Sequence, residues 1–387
     1  MTPPDAPGAP SFAAALRRIL DRPALTRLLI GWGAVLALAL AAPALVGPLP
    51  GLALIALFGA VVAVIVIAAD GVVAQAEALA QRLGDPYGTL VLTLSIVVIE
   101  VILIAAVMLG PGQSATIARD SVMAVSMIIM NLVLGLCLLI GGLRQGQLAL
   151  QRVGTSAYLV LLVLLGATAF ALPAQIGEAG QFRSVQAVVV AALTMGLYAL
   201  FLWRQMGAQA AEFQEVEFRE AVDAPARPPL RTVLREHRAE LLLRTGLLVA
   251  TVLPIVLLAE HMAALVEDGL SRLGAPHALA GLLIAMIVFT PESLTAVRAV
   301  LGGEVQRVAN LCHGALVSTY ALTIPTVLLL GLVTAAPVVL AESGANLLLL
   351  GVTFALAAIS AASPRVTAVH GAAHLMLFAL YVLALFA

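Results

Sequence analysis

Lysine is absent from this chain, and charge of either sign is scarce. Its 20 basic residues are all arginine, and with 21 acidic residues they make up 11% of 387. A soluble domain carries about 25% charged residues, so a water-facing globule is excluded. The missing lysine reads as base composition rather than chemistry. A formal net charge of −1 leaves no basic surface for nucleic acid. Cysteine is nearly missing too: Cys137 and Cys312 each sit in an apolar run without a C-x-x-C pair and read as buried, inert thiols. No H-E-x-x-H, G-x-S-x-G or Walker A pattern occurs, so the chain is not read as an enzyme or an ATP-driven pump, and no cofactor is expected. The first long apolar run begins near Arg27 with no clear cleavage site after it, so no signal peptide is expected.

What is present is apolar sequence: 62% of residues are hydrophobic and the mean hydropathy is +1.09. Eleven apolar segments stand out, at about 27–46, 51–82, 87–109, 120–142, 155–173, 185–203, 241–266, 277–300, 306–332, 344–361 and 366–386, the tenth being the weakest. Most reach the roughly 20 residues a spanning helix needs. The expected fold is an all-α polytopic membrane protein with about 11 transmembrane helices. Residues 1–50 hold a tail and an extra first helix, 51–203 a first five-helix repeat, 204–240 a linker, and 241–387 a second five-helix repeat. With the N-terminus inside, inner segments carry Arg17, Arg18, Arg22, Arg82, Arg144, Arg152, the run from Arg204 to Arg238, Arg307 and Arg365, and outer loops only Arg119, Arg183 and Arg272. That bias orients the chain N-in and C-out.

The repeat is written in the sequence. Arg82-Leu-Gly-Asp-Pro86 recurs as Arg272-Leu-Gly-Ala-Pro276 at an offset of 190, which also carries Asp70 to Glu260, Glu77 to Glu267 and Asp120 to Asn310. Glu100 pairs with Glu292 at an offset of 192. An odd number of spans per repeat forces the second copy upside down, the architecture of many secondary transporters with a midplane site. Glu100 lies 13 residues past Tyr87 and Glu292 15 past His277. Both therefore sit about 20 Å along their helices, near the centre in antiparallel copies.

A carboxylate at bilayer depth usually marks an ion or proton site. Two of them can bind a hard cation through oxygen. Once the cation leaves, desolvation and mutual repulsion drive proton uptake, which is a chemical basis for antiport. Pro291 lacks an N–H and should break its helix, freeing carbonyls near Ile287 and Val288, with Ser293 and Thr295 adding hydroxyls. A structural ion pair of Glu292 with Arg298 is the plain alternative. Asp120 and Asn310 either gate the site or cap helices. Glu77 and Glu267 either form the mouth of the ion path or simply reach the interface. His313, Ser318 and Thr319, with Asn310, give the ninth span a polar face, and Ser126 and Asn131 do so more weakly in the fourth. His370 and His374, spaced i, i+4, lack a third zinc ligand nearby and read as a hydrogen-bonded pair or a proton relay. The acids Glu212, Glu215, Glu217, Glu220 and Asp223 form either a solvated spacer or a cytoplasmic cation sensor.

The chain resembles the cation/proton exchangers of the cation/calcium antiporter superfamily, and among them the bacterial ChaA type. The matching stretches are Gly84-Asp-Pro-Tyr-Gly-Thr-Leu90, the run to Glu100, Arg119-Asp120, Pro291-Glu292 through Val300, Val305-Gln-Arg307 to Asn310-Leu311, and Gly371-Ala-Ala-His374-Leu375. The resemblance runs from about residue 50 to the end. It implies a two-repeat exchanger in a bacterial inner membrane, with calcium held between Glu100 and Glu292 and exchanged for protons, and an acidic segment between the halves. Ile96-Val-Val-Ile99 stands where many calcium/proton exchangers carry Gly-Asn-Ala-Thr. That departure points to sodium or potassium as alternative cargo.

Overall fold

A computed structural model describes residues 19–41, 49–83, 115–207, 209–213, 237–276 and 278–386, together with Val97, Val101 and Ile104. Almost all of them are helical, because in lipid every backbone N–H and C=O must find its partner within the protein. The helices are α1 (Arg22–Ala41), α2 (Gly51–Leu83), α3 (Ile117–Gln145), α4 (Arg152–Ile176), α5 (Ser184–Met206), α6 (Arg238–Leu273), α7 (Ala278–Val288), α8 (Thr290–Leu301), α9 (Val305–Thr334), α10 (Gly344–Ala362) and α11 (Ala368–Ala384). Ten of the eleven expected apolar segments are therefore helices. The segment at 87–109 lies outside the described residues except for Val97, Val101 and Ile104. The weakest expected segment, 344–361, is a full helix. The eighth is two helices, α7 and α8, meeting at Phe289.

Three helices are wound more loosely for one turn: π-helical Ile128–Val133 in α3, Ala167–Ala171 in α4 and Thr319–Thr323 in α9. The first and third are related by the repeat offset, so the two copies share a backbone irregularity, followed by a proline, Pro325, only in the second.

α3 and α9 form the centre; almost every side chain of Val305–Ser318 is buried. α1 is peripheral, with most of its surface exposed. It is fixed to α6 where Pro254 interrupts that helix. Proline offers no N–H to the carbonyl of Ala250, and Trp32 Nε1 of α1 donates to that carbonyl at 3.0 Å. Gly31 faces Pro254 so closely that a Cβ would lie 3.1 Å from the ring.

The loops show the inversion directly. At one end, the loop after α3 pairs with the loop after α10 through mutual Leu148–Val366 hydrogen bonds of 2.9 Å, and Gln145 Nε2 donates to Val300 O near the α8–α9 turn. At the other end, the loop after α9 pairs with the loop after α4: Leu340 N donates to Gly180 O at 3.1 Å, and Val339 N to Ala115 O at 2.8 Å. Each loop's repeat mate thus sits at the opposite end. Helix contacts obey the same exchange: α11 packs on α3 as α5 packs on α9, and α4 packs on α9 as α10 packs on α3. The first end carries Arg144, Arg152, Arg307 and Arg365 and is called here the arginine-rich end.

Candidate ion-exchange site

The break at Phe289 builds the site. α7 ends at Val288, Phe289 adopts φ −85°, ψ 3°, and α8 restarts with a proline in its first turn. The carbonyl of Phe289 takes the Ser293 N–H at 3.0 Å and the Ser293 hydroxyl at 2.8 Å. Glu292 falls in the first turn of α8. There the helix dipole favours a negative charge, which offsets part of the desolvation cost. Its Oε2 is buried, and the side chain lies within electrostatic range of Cys312 on α9. Thr295, one turn on, is buried at 2% exposure. The proline break expected from the sequence is therefore present. Arg298, the partner named in the alternative reading, reaches Asp70 of α2 at 3.2 Å, and Asp70 also binds Arg27 of α1. Glu100 lies outside the described residues, as does the side chain of Glu77. Glu267 is exposed on α6, away from the buried core.

Around Glu292 lies a belt of buried polar groups that joins the two halves. Ser126 Oγ bonds Tyr320 OH at 2.7 Å, and Tyr198 OH bonds Ser318 Oγ at 2.6 Å. Asn131 Nδ2 donates to Thr353 Oγ1 at 2.8 Å, and Asn131 Oδ1 lies 3.0 Å from His374 Nδ1. Asn131 and Tyr320 both sit on the repeat-related π turns, and Thr319 is fully buried beside Tyr320. Such turns recur at functional sites because they re-aim side chains mid-helix. His313 is buried at 2% and stacks on Tyr158, centroids 6.1 Å apart. His370 and His374 serve different ends. His370 Nδ1 accepts from Thr367 N at 3.2 Å and caps α11, while His374 is fully buried on Asn131.

The two ends of the molecule enclose this belt differently. At the arginine-rich end, the short 3-10 turn Ala210–Phe213 enters the bundle. Phe213 packs edge-on against Tyr158 and Phe201 at 5.3 and 5.9 Å. Its carbonyl accepts from Asn310 Nδ2 at 2.5 Å, while Asn310 Oδ1 accepts from Gln306 Nε2 at 2.9 Å. At the opposite end Asp120 accepts from Arg119 and from Thr116 Oγ1, each at 2.8 Å. Asn310 and Asp120, matched in the repeat, are thus at opposite ends. Arg119 also donates to Ala341 O at 2.9 Å and lies 3.6 Å from Glu342. Glu342, which the sequence reading passed over as loop, has a side chain only 2% exposed. Burial pushes its carboxyl above the usual range, against hydrogen bonds from Asn346 and Ser343 and the pull of Arg119. The available signal was a lone acid in the otherwise uncharged loop between α9 and α10. Acids beyond Glu212 in the linker lie outside the described residues.

The sodium/calcium exchanger protein family model matches this chain twice, over residues 53–207 and 243–387. The chain belongs to that family. The exchanger is 31% identical to the sodium-potassium/proton antiporter ChaA of Escherichia coli over 319 residues, covering 82% of this chain and 86% of that one. Among solved structures it is similar to YfkE, at TM-score 0.69 and 14% identity, covering 93% of this chain and 99% of that one. It is similar also to the H+/Ca2+ exchanger CAX, at TM-score 0.66 and 15% identity, covering 94% and 89%. At these identities the structural likeness concerns the fold. Family and fold together make the chain a multi-pass membrane transporter of cations.

Proposed function

We propose that this exchanger is a secondary antiporter of a bacterial cytoplasmic membrane that exports calcium in return for protons. Cation and protons compete for Glu100 and Glu292. The observation that carries the reading is the break at Phe289. It sets a glutamate with a buried oxygen in the first turn of a half-helix, at a depth where Pro291 leaves the Ile287 carbonyl without its helical donor. An oxygen-lined break of this kind suits a hard cation. With the cation gone, two desolvated carboxylates in one site take up protons. Neither ligand then leaves the site charged and empty, and the exchange is obligatory.

Ser293 adds a hydroxyl oxygen, and Asn310 retains one lone pair on Oδ1 beyond the Gln306 bond for a cation arriving from the arginine-rich end. Asp120, His313, Ser318, Thr319, Glu77 and Glu267 are assigned to the ion path rather than to the site itself. The arginine-rich end faces the cytoplasm, with the N-terminus on that side and the C-terminus opposite. The partners are then calcium, protons and the lipid around the bundle. A second reading, sodium or potassium in place of calcium, is supported by the named cargo of the Escherichia coli relative and by Ile96-Val-Val-Ile99, which brings no side-chain oxygen beside Glu100. Everted vesicles with a pH-sensitive dye, challenged in turn with calcium, sodium and potassium, decide between the two. Absence of a response to all three sinks both.

A further inference from the structure

The hydrogen bonds around His374 run in one direction only. Thr353 Oγ1 donates to Leu349 O at 2.8 Å, so its oxygen accepts from Asn131 Nδ2 at 2.8 Å. That turns the Asn131 amide oxygen towards His374 Nδ1, at 3.0 Å. An amide oxygen can only accept, so Nδ1 carries the proton. A neutral imidazole has one N–H, and Nε2 is left as a bare acceptor. His313 follows the same logic: its Nδ1 lies 2.7 Å from Ala309 O, which can only accept, so its Nε2 is bare as well. Both Nε2 atoms are buried and have no hydrogen-bond partner among the described residues. A buried acceptor without a partner carries its desolvation cost uncompensated, and such a group calls for a reason.

The two rings share one layer of the bundle. His374 is 7 residues past Thr367, His313 is 9 past Glu304, and Glu292 is 10 before Gly302. All three therefore lie about 10–15 Å from the arginine-rich end at 1.5 Å per residue. His374 is within electrostatic range of His313, and Cys312, next in sequence to His313, is within range of Glu292. Among the described residues, the titratable groups around the pair include Cys312 on α9, Cys137 on α3, Glu292 on α8, Tyr158 on α4, Tyr198 on α5 and His370 on α11. α10 contributes Thr353 and contains no titratable residue.

We propose that His313 and His374 form a proton relay serving Glu292. The inference rests on the reading of Glu292 as an exchanging carboxylate. A proton from the aqueous side adds to one bare Nε2 and makes an imidazolium. It then passes to the carboxylate: one N–H bond breaks, one O–H bond forms, the ring returns to neutral and the glutamate becomes neutral. No electron changes owner. The Nδ1 protons, held by Asn131 and Ala309, stay in place, so each ring works through Nε2 alone and keeps its orientation.

The test uses the full chain in proteoliposomes with an internal pH dye, and whichever of calcium, sodium or potassium drives proton movement in the wild type. His313→Asn and His374→Asn retain a side-chain N–H at the Nδ1 position and delete Nε2. The expected result is a fall in cation-driven proton flux of about a hundredfold, the lower end of what a positioned proton-transfer group contributes, with a flattened pH profile. Cation–cation exchange across the same vesicles, which needs no net proton, stays within about twofold of wild type in His374→Asn, the variant outside the assigned ion path. Retention of wild-type proton flux and pH profile by both variants overturns the relay. So does loss of both modes together in His374→Asn, which marks a scaffold role. Glu292→Gln run alongside separates the two ideas: an active Glu292→Gln removes the carboxylate reading, whereas an inactive one beside fully active histidine variants removes the relay alone.

Discussion

In the first copy of the repeat, α3 loosens through Ile128–Val133 and presents Asn131; in the second, α9 loosens through Thr319–Thr323 and presents Tyr320. The backbone device is the same and the side chain is not. The same holds at the loops. The strap between Leu148 and Val366 is backbone and apolar, while its mate at the opposite end adds Glu342 and the Arg119–Asp120 pair. The copies thus share the main-chain geometry that a two-fold axis requires and differ in the chemistry hung on it. Proline, both buried histidines and the buried loop carboxylate belong to the second copy. An inverted repeat supplies two equivalent routes to the midplane, but it does not oblige the two routes to carry the same ion.

The largest test of this asymmetry lies at the glutamates. Glu100→Gln and Glu292→Gln keep size and polarity and remove charge, and a neutral amide is cheaper in lipid than a carboxylate. Both variants are expected to insert normally and to lose cation-dependent proton movement to background. Equal loss means that the copies converge on one site; survival of Glu292→Gln would move the chemistry away from the break. Pro291→Ala comes next. It restores an N–H for the Ile287 carbonyl and relieves a helix interruption worth about 3 kcal/mol. A thermal melt should show a more stable protein, while flux assays show apparent cation affinity falling by about tenfold, a change of roughly 1.4 kcal/mol. A variant with unchanged affinity would make the break merely structural.

Glu342→Gln should have a smaller effect, read as stability against pH. Burial raises the Glu342 carboxyl in the folded state, so the fold favours the protonated form. Its contribution is full below the ordinary carboxylate range and is lost as pH rises through the raised value. The melting temperature of the wild type should therefore fall relative to Glu342→Gln across that window, and parallel curves would contradict the burial argument. The smallest effect concerns the linker. If the segment senses calcium, replacing Glu212, Glu215, Glu217, Glu220 and Asp223 with Gln or Asn should leave the core reaction intact and change activation by cytoplasmic calcium. An unchanged dose–response returns the segment to a spacer.

Much of the scaffold was legible because lipid makes hydropathy decisive. The spans and the repeat offset are readable from residue order, and the break follows from Pro291 alone. The belt was not legible. Asn131 and His374 are 243 residues apart and Ser126 and Tyr320 are 194 apart; no local pattern pairs them. The π turn of α3 leaves no sequence mark, since Ile128–Val133 contains neither glycine nor proline, whereas Pro173 and Pro325 follow the other two π turns by two residues. Arg298 looked like a partner for Glu292 by proximity along the chain, yet its long side chain reaches Asp70 on another helix. Glu342 was missed because a loop is expected to be wet, and this one folds its acid back under Asn346 and Arg119.

The contact between α3 and α11 has a mechanical meaning. Gly135, Gly142 and Gly371 bring the two backbones together so tightly that a methyl at Gly371 would sit 2.3 Å from Leu139 N, and one at Gly142 2.3 Å from Ala368 N. Two rods welded along a seam without clearance cannot slip, roll or separate by small steps. They travel as one rigid beam, and His374 and Asn131 keep their spacing whichever face of the membrane is open. Opening and closing then fall to helices outside the beam, moving past a fixed frame.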